Sequence, residues 1–305
     1  MRWVTYRAAD GAERPGLLRD GRVHGLDGTL LALIESGLAE AAERAVAAPV
    51  EVVDLADVQL VAPIPRPPSV RDFLSFEEHL RNAVHALGRT DPPPVWFEQP
   101  VFYFSNPAAI LGPDEEVPIS PGCEAFDYEV EVAAVVGRAG SDLSPAEAEA
   151  CIAGYTILCD WSARDVQRRE SSAGLGPAKG KDGATSIGPV LVTPDELEPY
   201  RDGRGYRLAM RASVNGREQG GGTWADIHWS FGQMLAYASR GTRLLPGDVV
   251  GSGTVGTGCL LELSGLHGSE RYPWLQPGDV VSIEVEQIGT ITGRIVPGPE
   301  LVPLS

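Results

Sequence analysis

The chain has 305 residues, with 25 basic against 42 acidic side chains and a formal net charge of −17. That length suits one large or two unequal domains with a sizeable core. So acidic a surface, with no Lys/Arg-rich run, repels phosphate backbones and anionic bilayers; nucleic-acid and membrane partners are excluded, whereas a small acidic substrate in a locally basic cleft is not.

Arg2–Arg7 alternates apolar and polar residues, which predicts a first strand and not the apolar core of a secretory leader. No apolar stretch approaches the ~18 residues that span a bilayer. The four cysteines, Cys123, Cys151, Cys159 and Cys259, form no Cys-x-x-Cys pair and favour reduced thiols in a cytoplasmic protein. Further strands are expected near Gly16–Leu18 and Arg22–Leu26. A helix follows from Thr29 to about Ala47, with Leu30, Leu33, Ile34 and Leu38 at helical spacing. Val61–Ser69 then packs four prolines into nine residues and reads as an extended linker. It divides a small N-terminal domain, residues 1–65, from a larger one, residues 66–305.

The larger domain is strand-rich. Val130–Val136, Ala153–Leu158, Val190–Thr193, Arg207–Val214, Asp248–Gly253, Leu260–Leu263 and Val280–Gln287 are predicted strands. Helices are expected only at Phe76–Leu87, Pro145–Ala150 and Phe231–Ser239. Asn215-Gly216 is a hairpin-turn dipeptide. The phrase Leu-x-Pro-Gly-Asp-Val-Val occurs at residues 244–250 and 275–281, each time as a Pro-Gly turn feeding a strand. The fold class is therefore α+β and β-dominated. No Gly-x-Gly-x-x-Gly or phosphate loop follows a strand, which argues against a nicotinamide or nucleotide enzyme.

Asp127-Tyr-Glu129-Val-Glu131 places three carboxylates on one face if it is a strand. That face is either solvated or a site for a hard cation. Asp160 ends an apolar run and is a further ligand candidate or a cap; Arg164 and Gln167 follow, one helical turn apart. Ser75 and Glu78 match a capping box, so a helix should start there. His79 then flanks the apolar stripe and His85 faces solvent. His79 is structural unless a carboxylate orients it as a base. The glycine-rich stretch 175–189 is either a surface loop or one presenting Lys179 or Lys181 to a ligand, and Ser252–Gly258 can offer amides and a hydroxyl to an oxyanion.

Taken in order, Phe126-Asp-Tyr-Glu-Val-Glu131, Cys159-Asp-Trp-Ser-Ala-Arg-Asp-Val-Gln167, Gly180-Lys-Asp to Gly188-Pro189 and Gly251-Ser-Gly-Thr254 resemble the fumarylacetoacetate hydrolase family over residues 70–297. The resemblance implies a mixed β-roll catalytic domain with a divalent metal held by Glu129, Glu131 and Asp160, and Asp72 as a fourth ligand. Mg2+ is the expected ion, with Mn2+ or Ca2+ as alternatives. It further implies a base pair of His79 and Glu262. Lys181 takes the catalytic lysine position, or Lys179 if the loop is gapped. Arg164, Gln167, Tyr103 and Thr254 fall on substrate-contacting positions. Leu74 and Ser171 stand where the family's founding hydrolase has substrate-contacting tyrosines, which argues against that enzyme's own substrate.

The implied activity is metal-dependent hydrolysis of a carbon–carbon bond in a β-diketo or acylpyruvate-type acid. The alternative is an isomerase, decarboxylase or dehydratase acting on a 2-oxo acid. A homodimer is also implied.

Overall fold

The computed structural model describes residues 1–86, 88 and 90–304. Its spine is a large mixed sheet. From one edge the strands run Glu51–Asp54, Arg22–Gly25, Glu13–Arg19, Arg2–Arg7, Thr185–Val192, Ile152–Asp160, Val130–Val136, Val249–Gly251, Val70–Phe73 and Phe102–Ser105. A second sheet has the order Arg217–Thr223, Ala209–Val214, Val280–Val285, Gly289–Val296, Glu116–Pro118. Most neighbours are antiparallel, but Val249–Gly251 runs parallel to Val70–Phe73 and Gly289–Val296 to Glu116–Pro118. This is the β-dominated mixed architecture expected from the strand-rich sequence.

The N-terminal strands do not form a sheet of their own. Arg2–Arg7 pairs with Thr185–Val192, in register Trp3↔Leu191, so residues from both sides of the proline-rich segment share a sheet. They also share a core: Trp3, Leu30 and Ile34 pack with Val70, Ala133, Val135, Leu191 and Val249 on one face. The opposite face carries Val130, Val132, Ala134, Tyr155 and Ile157, packed against the second sheet and the helix Phe231–Ala238. The proline-rich segment itself is irregular, yet Ala62 and Ile64 are buried in the first of these cores.

The strands Arg2–Arg7 and Val130–Val136 have the bounds expected. Asn215 and Gly216 both adopt positive φ, 53° and 75°, and close the hairpin whose last pair is Val214↔Arg217. Three expectations fail for local reasons. The helix from Thr29 is two helices, Leu30–Ser36 and Leu38–Ala47, broken at Gly37, whose φ of 110° no helix accommodates. Leu260–Leu263 opens a helix, Leu260–His267, and is not a strand; its apolar pair Leu260 and Leu263 is spaced i, i+3, a run too short for periodicity to distinguish from a strand. The helix carrying His79 spans Glu77–Ala86, and the expected end at Leu87 lies outside the described residues. Ser75 does not cap it, because its hydroxyl donates to the Ser252 carbonyl. Among the described residues no helix is long and apolar enough to cross a membrane.

Candidate active site

The sheet itself assembles the carboxylates. Val70, Ala133, Leu158 and Val249 belong to one buried face, and side chains two residues apart on a strand share a face. Stepping two positions toward the same end of each strand gives Asp72, Glu131, Asp160 and Gly251. These strands are consecutive neighbours in the sheet, and neighbouring strands lie about 4.8 Å apart. Glu129 continues the series from Glu131. Oxygens of Asp72, Glu129 and Glu131 lie within 4.8 Å of one another, all buried.

Short polar contacts tie the cluster together. Tyr103 donates its hydroxyl to Asp72 Oδ2 at 2.7 Å and also to Asp160 Oδ2. The Lys181 ammonium pairs with Asp160 Oδ2 at 2.6 Å and with Glu129 Oε2. The Gly253 amide donates to Glu131 Oε2 at 3.0 Å and Asp72 Oδ1 at 3.3 Å, and the Thr254 hydroxyl reaches Glu131 Oε1 at 3.5 Å. Lys181 is the buried lysine of the glycine-rich loop. Lys179 is exposed and pairs with Asp182 at 3.1 Å.

Asp127 is not part of this cluster. The strand is interrupted between Phe126–Asp127 and Val130–Val136, so the alternation expected for Asp127, Glu129 and Glu131 holds only for the last two. Asp127 instead accepts the amides of Leu260 and Leu261 at the start of the Leu260–His267 helix. Arg164 bridges the two groups, with Nη2 2.8 Å from Asp127 Oδ2 and 2.7 Å from Glu129 Oε1, and its Nη1 donates to Gln167 at 3.2 Å. Arg164 is therefore held by the protein's own carboxylates, while Gln167 remains half-buried beside it.

Burial drives the acid strengths. It raises Glu131 well above the ordinary glutamate value, reinforced by the negative charges of Asp72 and Glu129. It also raises Asp72, and pushes Asp160 up to about 8 against the opposing pull of Lys181. Glu129 departs in the other direction: burial would raise it, but Lys181 and Arg164 hold it far below the usual range. Lys181 and Arg164 are thus the cations set against four buried carboxylates, and Asp127 also draws on Arg164. Asp160 Oδ1 is buried with no hydrogen-bond partner. An all-oxygen, carboxylate-rich donor set whose members resist ionising together, with one unpartnered oxygen, fits a hard divalent cation, which Asp72, Glu129, Glu131 and Asp160 would hold.

A second group lies where the Glu77–Ala86 and Leu260–His267 helices meet. His79 Nδ1 is 2.7 Å from Glu262 Oε2, and both side chains are buried. Burial disfavours protonated His79, but the Glu262 charge overrides it and raises the histidine above its ordinary value. Burial likewise opposes ionised Glu262, and His79 outweighs it and lowers that carboxyl. The geometry makes a histidine with one nitrogen anchored by a charged acceptor, the arrangement of an oriented base.

Residues that sequence reasoning missed are Gly251, Asn82, Cys259 and the capping role of Asp127. Cys259 and Glu262 carry the N-cap and N3 spacing of a helix start, a signal hidden by reading Leu260–Leu263 as a strand. Asp127 gives no local signal, because it caps a helix 133 positions away.

Fold and site together define a family. Residues 69–296 match the family described as fumarylacetoacetate (FAA) hydrolase C-terminal, and the chain belongs to it. The human mitochondrial oxaloacetate tautomerase FAHD2A is 30% identical over 273 residues, which cover 88% of this chain and 80% of that protein. The 2,4-didehydro-3-deoxy-L-rhamnonate hydrolase of Sphingomonas sp. (strain SKA58) is 28% identical over 292 residues, 92% of this chain and 91% of that one. The crystal structure of 5-carboxymethyl-2-hydroxymuconate delta-isomerase from Mycobacterium smegmatis superposes with a TM-score of 0.70 at 28% identity, covering 97% of this chain and all of that one. The relatives named in this family are thus enzymes of tautomerisation, hydrolysis and isomerisation.

Proposed function

We propose that this chain is a divalent-metal-dependent hydrolase that cleaves a carbon–carbon bond in an acylpyruvate-type β-diketo acid. The observation that carries this reading is the His79–Glu262 pair, 2.7 Å apart and separate from the carboxylate cluster. A charge-supported histidine beside a cation site is the equipment that water activation requires. Mg2+, or Mn2+ or Ca2+ on the same oxygen donors, supplies Lewis-acid polarisation of the substrate's oxygens when bound.

The chain's own residues do the rest. Glu262 holds the Nδ1 proton of His79, which leaves Nε2 to take a proton from water. The resulting hydroxide oxygen bonds to the distal carbonyl carbon. Cleavage of the adjoining carbon–carbon bond sends its electron pair to the departing 2-oxo acid carbon, which regains a proton from His79. The products are a shorter carboxylic acid and a methyl 2-oxo acid, with one water consumed. In this reading Lys181 and Gln167 donate to the developing oxyanion, and Tyr103 and Thr254 contact the substrate. Arg164 fixes the position of Glu129.

A second reading is favoured by the tautomerase relative: proton transfer at the carbon beside a 2-oxo acid carbonyl, using the same histidine without net consumption of water. Incubating the Mg2+-loaded protein with an acylpyruvate and, separately, with a simple enolisable 2-oxo acid distinguishes them. Release of a shorter acid plus a 2-oxo acid, lost in His79→Ala, supports hydrolysis. Accelerated keto–enol exchange with unchanged composition and no cleavage overturns hydrolysis in favour of the second reading.

A further inference from the structure

The Leu260–His267 helix starts from Cys259, so Glu262 occupies its third position. A glutamate there ordinarily turns back to cap its own helix. Asp127 caps the first turn from outside, with its two oxygens accepting the amides of Leu260 at 2.8 Å and Leu261 at 3.0 Å. Glu262 faces His79 instead.

Each oxygen of Glu262 then meets two partners. Oε2 receives His79 Nδ1 at 2.7 Å and the Cys259 thiol at 3.3 Å. Oε1 receives the Asn82 amide at 3.0 Å and the Thr257 backbone N–H at 2.9 Å. A carboxylate has about four lone-pair sites, so this set fills it. Burial pushes the Cys259 thiol well above its ordinary pKa, and the Glu262 charge adds to this, which keeps the thiol protonated and a donor. Thr257 aims its amide from a left-handed backbone, φ 57°, an uncommon conformation for a β-branched residue. It is held there by Gly221: the Thr257 hydroxyl accepts the Gly221 amide at 3.2 Å and donates to its carbonyl at 3.0 Å.

We propose that Cys259 and Asn82 are positioning residues that lock the Glu262 carboxylate in one charged orientation and thereby fix His79 with its Nδ1 proton on Glu262. Nε2 is then the ring's proton acceptor. The inference rests on the reading of His79 as the base, and its consequence in the resting protein is separable from turnover. A hydroxyl replaces the thiol as donor, so Cys259→Ser retains the arrangement that Cys259→Ala loses.

Two measurements test it on the full chain: proton NMR of the imidazole N–H region, and steady-state kinetics on an acylpyruvate with Mg2+. A downfield Nδ1–H resonance, absent in His79→Ala, is expected to move in Cys259→Ala and Asn82→Ala and to return toward its wild-type position in Cys259→Ser. Both alanine variants are expected to lose about tenfold in kcat, in proportion to one hydrogen bond to a charged group, with KM within about twofold of wild type. Asn82 is only half-buried, so Asn82→Ala carries both readouts if Cys259→Ala does not fold. An unmoved resonance together with wild-type kcat in the folded alanine variants overturns the positioning role while leaving His79 as base. Full activity in His79→Ala overturns the base reading, whatever the resonance does.

Discussion

Gly251 passes directly beneath Asp72: a β-carbon on Gly251 would fall 2.4 Å from Asp72 Oδ1. The Val249–Gly251 strand separates the strand of Asp72 from that of Glu131, so the two carboxylates converge only because no side chain stands between them. Gly251→Ala is expected to cost about 1–3 kcal/mol through overpacking. It should also abolish the rise in melting temperature on adding Mg2+ or Mn2+. Thermal melting with and without the ion checks both, and a wild-type ion response would show that the carboxylates do not need the gap.

The His79–Glu262 pair predicts a kinetic signature. His79→Ala and Glu262→Gln should each lower kcat by about 100- to 10,000-fold, the usual contribution of a positioned acid–base group. Because neither residue belongs to the carboxylate cluster, both variants should keep the ion-induced rise in melting temperature. Steady-state kinetics paired with melting curves separates the two effects.

The same pair makes stability depend on pH in a defined direction. His79 is raised above its ordinary 6.5, so its contribution is complete below about 6.5 and disappears as pH rises through the higher folded value. Glu262 is lowered from 4.5, so its contribution is complete above about 4.5 and disappears as pH falls through the lower folded value. The difference in melting temperature between wild type and Glu262→Gln should therefore be largest between about pH 4.5 and 6.5. Turnover should follow the opposite trend on the alkaline side, since a base must be unprotonated. A stability difference that grows steadily above pH 7 would contradict the pairing.

Lys181 is the buried cation between Glu129 and Asp160. Lys181→Met leaves those carboxylates without it, and breaking a buried ion pair from one side costs about 3–5 kcal/mol. Urea denaturation of the metal-free variant should register that loss, and added Mg2+ should recover part of it by binding the folded state. Lys179→Met, at an exposed position, should change neither quantity measurably.

Much of this site was legible in residue order. The two-residue spacing of Glu129 and Glu131 puts them on one face of a strand, and the resemblance adds Asp72, His79, Asp160 and Glu262. What stayed hidden depends on contacts distant in sequence. Asp127 reads locally as a third carboxylate on a strand, and only the break after Asp127 and the arrival of the Leu260–His267 helix turn it into a cap. Leu260–Leu263 reads as a strand because four apolar-rich residues carry no period. The N-terminal segment looked separable at its prolines, yet the pairing of Trp3 with Leu191 carries the main sheet across that boundary. Cross-strand pairing of this kind is set by tertiary packing and leaves no local mark.

The hydrolase reading depends on Asp72, Glu129, Glu131 and Asp160 holding a divalent cation. Calorimetric titration of Mn2+ into metal-free wild type and Glu131→Gln tests this most directly. Saturable uptake of a single ion by wild type, lost in a Glu131→Gln variant that melts no earlier than metal-free wild type, is the result predicted, because burial already disfavours a charge on Glu131 when no ion is bound and glutamine matches the neutral carboxyl in shape. Absence of saturable binding to wild type, or undiminished binding to Glu131→Gln, would contradict it.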